Sequence, residues 1–198
     1  KIQNIIMMKN TLKIFAAMLM TVSLAVGCVD KKGSASSSDT VSQDEEASTD
    51  STVYGVCGDG TAMHTLQVIS DAGDTVDYMI NTDGELVSDI QGGRMVGDRM
   101  AVIGAKVNQE LVAKKVINLT TLLGRWVSLD KNFEIREGGI VESFVKAESH
   151  PWTKWKILNG ALLLNTDTFE VKTLGADSLL LENKNGIFVY KRQRDKQQ

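Results

Sequence analysis

The chain has few of the residues that build common catalytic and metal sites. Its 198 residues include only two histidines and two cysteines, and no HExxH, P-loop, GxGxxG or Ser–His–Asp spacing occurs. Catalysis needs groups of matched pKa that converge on one place, and the sequence offers no such set. We therefore predict that the protein is not an enzyme and needs no cofactor.

The stretch CGDGTAMH comes nearest to a metal site. If Gly58 to Thr61 form a hairpin turn, Cys57 and Met63 lie opposite each other and His64 faces the other side; sulfur ligands would suit Cu(I). Two ligands on one face do not complete a site, and a buried cysteine beside a methionine is ordinary core packing. We therefore predict no metal.

An excess of positive charge is also missing. Removing residues 1–27 removes three lysines and no acidic residue, which leaves 19 basic and 25 acidic residues and a net charge of −6. Residues 53–117 carry −4 and residues 118–198 carry +2, so no basic stripe forms. Nucleic acid is therefore not an expected partner.

The N-terminal segment has the pattern of an export signal. Lys9 and Lys13 precede an apolar run of 13 residues at 14–26, which is well short of the roughly 20 residues of a membrane-spanning helix. We interpret residues 1–27 as a signal peptide, with Met8 as the natural start.

The stretch SLAVGC, which ends at Cys28, resembles the lipobox of bacterial lipoproteins. In that family the cysteine takes a diacylglycerol, and several acyl chains make anchoring in the lipid bilayer stable. Val29 stands where an aspartate would resemble an inner-membrane retention signal, so the resemblance implies an outer-membrane anchor, at the periplasmic face or the cell surface. The alternative is a plain secretory peptide with an incidental cysteine.

Residues 28–52 combine this cysteine with a polar, serine-rich stretch that has almost no large apolar residue. Such a composition predicts a disordered tether with a typical reach of about 25–30 Å. The motifs at Asp39 to Val41 and Asp50 to Thr52 resemble O-glycosylation sites of some anaerobic Gram-negative bacteria. With Cys28 acylated, Cys57 is the only thiol, so stability must come from hydrophobic cores rather than a disulfide.

Residues 53–117 alternate apolar and polar positions between glycine-rich turns. Five short strands in about 65 residues predict a small closed barrel, because closure removes exposed strand edges. The stretch GGRMVGDRMAV resembles the bend and fourth strand of an OB-fold. We therefore expect an OB-like five-stranded barrel.

Residues 118–193 predict a second all-β barrel of about eight strands, followed by a tail at 194–198. Thr120 or Thr121 is expected to cap a single helical turn that ends at Gly124. Hairpin signals occur at Asn159–Gly160 and before Gly186. Because the two cores are small and joined in series, we expect the two barrels to unfold separately.

The tripeptide Gly124–Arg125–Trp126 has the G-x-W form that opens the first strand of lipocalins. With the strands that follow, it resembles the lipocalin-like domains of Gram-negative lipoproteins, which implies an up-and-down barrel. In that family a basic side chain, here Arg192 or Lys191, packs over the tryptophan; such a pair contributes about 0.5–2 kcal/mol. The alternative is that Trp126 is an ordinary core residue.

Trp152 and Trp155 lie in the stretch HPWTKW. In an alternating strand they would point to opposite faces, with one inward and the other exposed or at the rim. The exposed tryptophan would be a candidate contact for a ligand or partner.

The pairing of the two modules on one lipid anchor is similar to the NlpE-type envelope-stress lipoproteins, with the domains in reversed order. The sequence thus predicts a non-enzymatic outer-membrane lipoprotein that binds or contacts another envelope component, such as a protein. The alternative is a carrier or sensor of a small apolar ligand in the second barrel.

Overall fold

The computed structural model describes residues 49–84 and 86–194. This part of the chain is nearly all β, with 14 strands and one helix of four residues. The strands form two barrels, and the predicted fold of two small β-barrels is confirmed. The predicted signal peptide, Cys28 and the tether up to residue 48 lie outside the described residues.

The first barrel closes through five of its six strands. These strands are β1 (Val53–Cys57), β2 (Thr65–Ser70), β3 (Thr75–Met79), β4 (Asp89–Gln91), β5 (Arg99–Val107) and β6 (Glu110–Asn118). β1 lies between β2 and β5, β5 pairs with β6, and β6 pairs in parallel with β3 at Met79 and Val112, which closes the OB-like ring. The short β4, which the sequence did not predict, adds to β6 in parallel.

The second barrel follows after the helix α1 (Leu119–Leu122). Its strands are β7 (Gly124–Val127), β8 (Asn132–Arg136), β9 (Ile140–Ser143), β10 (Trp155–Leu158), β11 (Ala161–Leu164), β12 (Asp167–Leu174), β13 (Ser178–Asn183) and β14 (Gly186–Arg192). Each strand pairs with its neighbour in the chain except at β9 and β10, and β14 returns to β7. A single bridge, Ile140 to Lys154, spans the β9–β10 seam, so the up-and-down barrel is nearly closed.

Side chains fill the interior of the second barrel, as an eight-stranded barrel allows. The large fully buried ones include Trp126, Phe133, Leu162, Leu164, Leu179 and Tyr190. They belong to one apolar cluster of buried residues. The second barrel is therefore a packed core rather than a hollow cup.

The helix α1 begins at a different residue from the one predicted. The side chain of Asn118, rather than that of Thr120 or Thr121, caps it by accepting a hydrogen bond from the Thr121 N–H at 2.8 Å. Asn118 is fully buried, and its amide donates to Asp98 at 2.7 Å. The capping bond itself is local, but what fixes the Asn118 side chain in place is its contact with Asp98, 20 residues earlier in the chain.

The two barrels share a core. Ala101 and Ile117 of the first barrel belong to the same buried cluster as Leu122 and the interior of the second barrel. The Tyr54 hydroxyl donates to the Ile157 carbonyl at 2.6 Å. Because the core is continuous, the two barrels should unfold together and not separately, as the sequence had suggested.

A polar contact strengthens this interface. The Lys115 ammonium lies 2.6 Å from Asp89 and donates to the Val171 carbonyl of the second barrel at 3.2 Å. Close by, Gly92 N–H donates to the Leu174 carbonyl at 2.9 Å. Because these groups come from both barrels, opening one barrel exposes polar and apolar surface of the other.

Within the described part of the chain, no helix has the length and hydropathy of a membrane-spanning segment.

We predict that the two barrels unfold in one transition. Leu66 is fully buried in the core of the first barrel, so Leu66→Ala should cost about 2–5 kcal/mol. Tryptophan fluorescence reports the second barrel, because all three tryptophans lie there, and the reactivity of the Cys57 thiol in a Cys28→Ala background reports the first. The unfolding midpoint reported by tryptophan fluorescence and the one reported by Cys57 reactivity should both decrease, and by the same amount.

Met63→Ala serves as the control, since Met63 is 76% exposed and its loss should change stability by less than about 0.5 kcal/mol. A tryptophan midpoint that Leu66→Ala leaves unchanged would show that the barrels unfold independently.

Candidate functional site

One end of the second barrel is closed by Trp126. Its side chain is fully buried, and its indole N–H donates to the Leu122 carbonyl at 2.9 Å. The guanidinium carbon of Arg192 lies 4.2 Å from the centre of the indole ring. This is the arrangement of a cation over an aromatic face.

Arg192 also binds the carbonyls that the end of α1 leaves free. Its guanidinium donates to Leu123 at 2.6 Å, to Ala176 at 2.5 Å and to Thr121. Burial lowers the pKa of Arg192 from its ordinary value, but a guanidinium stays charged in proteins. The cation therefore ties β14 to α1 and to the turn between β12 and β13.

Gly124 provides the space for this arginine. It has φ of +121°, and a Cβ at this position would collide with the Arg192 Nη1. Lys191 pairs with Val127 and its side chain is exposed on the outer face. Of the two predicted basic residues, the geometry selects Arg192, and this end of the barrel is a structural closure.

The opposite end is an open mouth with a cavity of about 880 Å³. The turn Ser128–Lys131 and the turn before β14 border it. Four aromatic rings meet edge to face at its base: Phe133 lies 5.2 Å and Phe169 5.7 Å from Trp152, and Phe188 lies 5.7 Å from Phe169. Edge-to-face packing holds these rings in place, so the cavity has a stiff apolar base.

Trp152 is fixed in the mouth by polar contacts. It is 8% exposed, its indole N–H donates to Asp167 at 3.1 Å, and the Lys131 ammonium lies 4.5 Å from its ring. Lys131 in turn pairs with Glu148. Burial raises the pKa of Glu148, but hydrogen bonds from Lys131 and Ser143 outweigh it, so the net pKa is lowered.

Tyr190 also lines the mouth and is 2% exposed. Burial, and to a smaller extent the charge of Glu148, raise its pKa to about 12. The phenol is therefore neutral at physiological pH and offers a polar hydroxyl without a charge.

Trp155 lies far from this mouth, at the other end of the second barrel. It is half-buried, donates to the Arg136 carbonyl at 2.7 Å, and lines a second cavity of about 550 Å³ beside Tyr54 and Arg99 of the first barrel. Trp152 precedes β10, so the two tryptophans do not alternate along one strand, although Trp152 is buried and Trp155 is partly exposed. The two tryptophans belong to different cavities.

The predicted pairing of Cys57 with Met63 is wrong. Cys57 is buried opposite Val68, whereas Met63 is 76% exposed, because the turn runs on to His64 before β2 begins. His64 and His150 are both exposed. Among the described residues, no three histidine, cysteine or acidic side chains group closely enough to hold a metal ion.

Three exposed aliphatic side chains surround the mouth, and sequence reasoning missed them. Leu129 is 102%, Ile187 62% and Val189 58% exposed, and all three line the cavity. The signal in the sequence is GIFVYKR, which is apolar on both faces, although a strand with one solvated face alternates with polar residues. β14 therefore presents apolar side chains on both of its faces.

Comparison with known proteins adds no further guide to the site. No family model matches the chain, and neither the curated proteins nor the solved structures contain a match. Inference about function therefore depends on the residues of this chain.

We predict that Arg192 and Trp126 stabilise the barrel as a coupled pair. Trp126→Ala should cost about 3–5 kcal/mol, and Arg192→Ala about 2–4 kcal/mol, because it loses hydrogen bonds as well as the ring contact. In the double variant the losses should fall short of their sum by about 0.5–2 kcal/mol. Urea unfolding of all three variants measures the coupling.

Lys191→Ala is the matched control and should change stability by less than about 0.5 kcal/mol. Additive losses for Trp126 and Arg192 would contradict the coupling and leave Trp126 as an ordinary core residue.

Proposed function

We propose that the protein is a non-enzymatic outer-membrane lipoprotein of the cell envelope that binds another envelope component at the mouth of its second barrel. Leu129, Ile187 and Val189 support this proposal because they are exposed around one cavity. A single exposed aliphatic residue needs no explanation. A group of them beside a concave surface is typical of an interaction site.

The residues around the mouth favour binding over catalysis. Asp167 is engaged by Trp152, and Lys131 is paired with Glu148. Tyr190 keeps its proton. These groups hold the aromatic base in place, and none of them is a nucleophile beside a base. Ser149 Oγ does lie 3.0 Å from His150 Nδ1 at the mouth, but both side chains are exposed and no acidic side chain among the described residues orients the histidine.

Cys28 accounts for the location in this proposal. A lipid on Cys28 anchors the chain in the bilayer, and the tether at 29–52 lets the barrels stand clear of the lipid. The protein then works at the periplasmic face of the outer membrane or at the cell surface. The G-x-W motif and the Arg192 contact with Trp126 support, within the proposal, a lipocalin-like second domain.

A second candidate function is the carriage or sensing of a small apolar ligand. The mouth cavity of about 880 Å³ lies within the range of about 300–1,000 Å³ that is usual for ligand sites. Trp152, Phe169 and Phe188 supply apolar walls and Tyr190 a polar group. Because side chains fill the barrel below, such a ligand would bind at the mouth and not in the lumen.

Anchoring is tested at Cys28. Cys28→Ala should move the protein from the membrane to the soluble fraction without lowering its unfolding midpoint, since the tether separates the lipid from the barrels. Labelling of growing cells with an alkyne fatty acid should mark the wild-type protein and not the variant. An unlabelled wild-type protein would end the lipoprotein proposal.

The mouth is tested with a charge at its rim. Leu129→Asp should lower the recovery of whatever the wild-type protein retains in native mass spectrometry of material from its own host, by about tenfold or more. Met95→Asp is the control, because Met95 is 72% exposed in the first barrel. A retained protein supports the adaptor and a retained small molecule the carrier.

If both variants keep the bound species as well as the wild type does, the mouth is not the binding surface.

A further inference from the structure

β14 extends past the end of its neighbour β7. β14 has seven residues and β7 has four, and they pair only at Lys191 with Val127 and at Arg192 with Trp126. On its other side β14 pairs with β13 over six positions, from Gly186 to Lys191. The first half of β14 therefore has a neighbour on one side only.

On the side of β14 that faces β7, two residues, Ile187 and Val189, present backbone groups that β7 does not reach. Gln193 N–H donates to Arg125 of β7 at 2.9 Å, and Arg192 N–H donates towards β13, to Asp177, at 3.0 Å. Because backbone groups alternate in direction along a strand, those of Val189 and Ile187 point to the β7 side. Among the described residues, their N–H and C=O groups have no hydrogen-bond partner.

The chain opposite this edge is held away from it. Continuing the β7–β14 register would place Leu129 opposite Val189, but β7 has already ended at Val127. Ser128 N–H donates to the Lys131 carbonyl at 2.8 Å and closes a turn on itself. The gap between this turn and β14 leads into the mouth cavity.

The side chains at the edge fit an extended peptide. Ile187 and Val189 are exposed on the face of β14 opposite to Phe188 and Tyr190, and all four residues border the cavity at the free edge. An added strand would alternate in the same way, so every second side chain would contact the outer aliphatic pair and the others would enter the mouth. Such strand addition gains affinity from backbone hydrogen bonds and specificity from alternate side chains.

The charges around the edge favour an acidic partner over a second copy of this chain. Lys184 and Lys191 flank the edge, and neither forms an ion pair within the described residues. Asp130, on the turn Ser128–Lys131, lines the same cavity as Lys191. Its carboxylate forms no ion pair within the described residues. Two copies of β14 paired antiparallel about Phe188 would place Lys184 opposite Arg192, and like charges opposite each other are destabilising.

We propose that a partner protein adds an extended segment to the free edge of β14, with apolar side chains at alternate positions and a carboxylate beside Lys184 or Lys191. This inference rests on the proposed function and names how the mouth binds its partner. The segment would hydrogen-bond to Ile187 and Val189 and place at least one apolar side chain in the cavity against Trp152.

The test uses the full chain in its own host with a photo-reactive residue at position 129. Val189→Pro removes an N–H that bonds to nothing in the barrel, a substitution that edge strands tolerate, whereas Val189→Thr keeps both the N–H and the branched shape. Val189→Pro should lower the yield of cross-linked partner about tenfold. Val189→Thr should leave it within about threefold.

A charge change provides an independent readout. Lys191→Glu should lower the yield several-fold, and Lys106→Glu, at an exposed position of the first barrel, should not. The cross-linked peptide should map to a segment with alternating apolar residues. If Val189→Pro fails to fold by tryptophan fluorescence, Ile187→Pro tests the other free N–H with the same expectation.

Two kinds of failure are distinguishable. A partner that cross-links equally well to a proline variant that is folded overturns strand addition and leaves the proposed function standing. A wild-type chain that cross-links to no protein overturns both. Cross-links to a second copy of the protein, or to residues 29–48 of the same chain, would show that this chain itself occupies the edge, and would overturn the inference.

Discussion

The contact of Arg192 with Trp126 and the end of α1 is the interaction on which the rest of the structure depends. The guanidinium of Arg192 lies 4.2 Å from the centre of the indole ring and donates hydrogen bonds to the carbonyls of Thr121 and Leu123. β14 is thereby joined to β7 and to α1, and α1 in turn contacts the first barrel, where the Arg99 N–H donates to the Thr120 hydroxyl at 2.8 Å. Gly124 is required at this point because any side chain would displace the arginine.

Because α1 packs into a core that both barrels share, the two barrels form one compact unit. Leu122 and Ile117 lie in the shared cluster, and the chain enters beside it, where Asp50 and Ser51 contact Asn159. The open mouth lies at the other end of the second barrel.

Because side chains fill the interior of the second barrel, a ligand or partner would have to bind at its surface. Trp126, Phe133 and Tyr190 occupy the space that a ligand would need inside the barrel, so a ligand would have to bind outside the lumen, as at the mouth and its lateral gap. That gap exists because β7 ends at Val127, whereas β14 starts at Gly186, five residues before Lys191, where its pairing with β7 begins. A short strand beside a long one leaves an edge that offers hydrogen bonds to a partner.

The sequence by itself determined the strands and several turns, because these depend on neighbouring residues. Alternation predicted nearly all strands, and Asn159–Gly160 predicted a hairpin since both residues adopt positive φ, 49° and 78°. Tertiary structure alone decided between Arg192 and Lys191, because a shift of one residue in register exchanges the two faces of a strand. It also decided the Asn118 cap and the free edge at Val189, which depend on where segments about 20 to 60 residues apart in the chain come together.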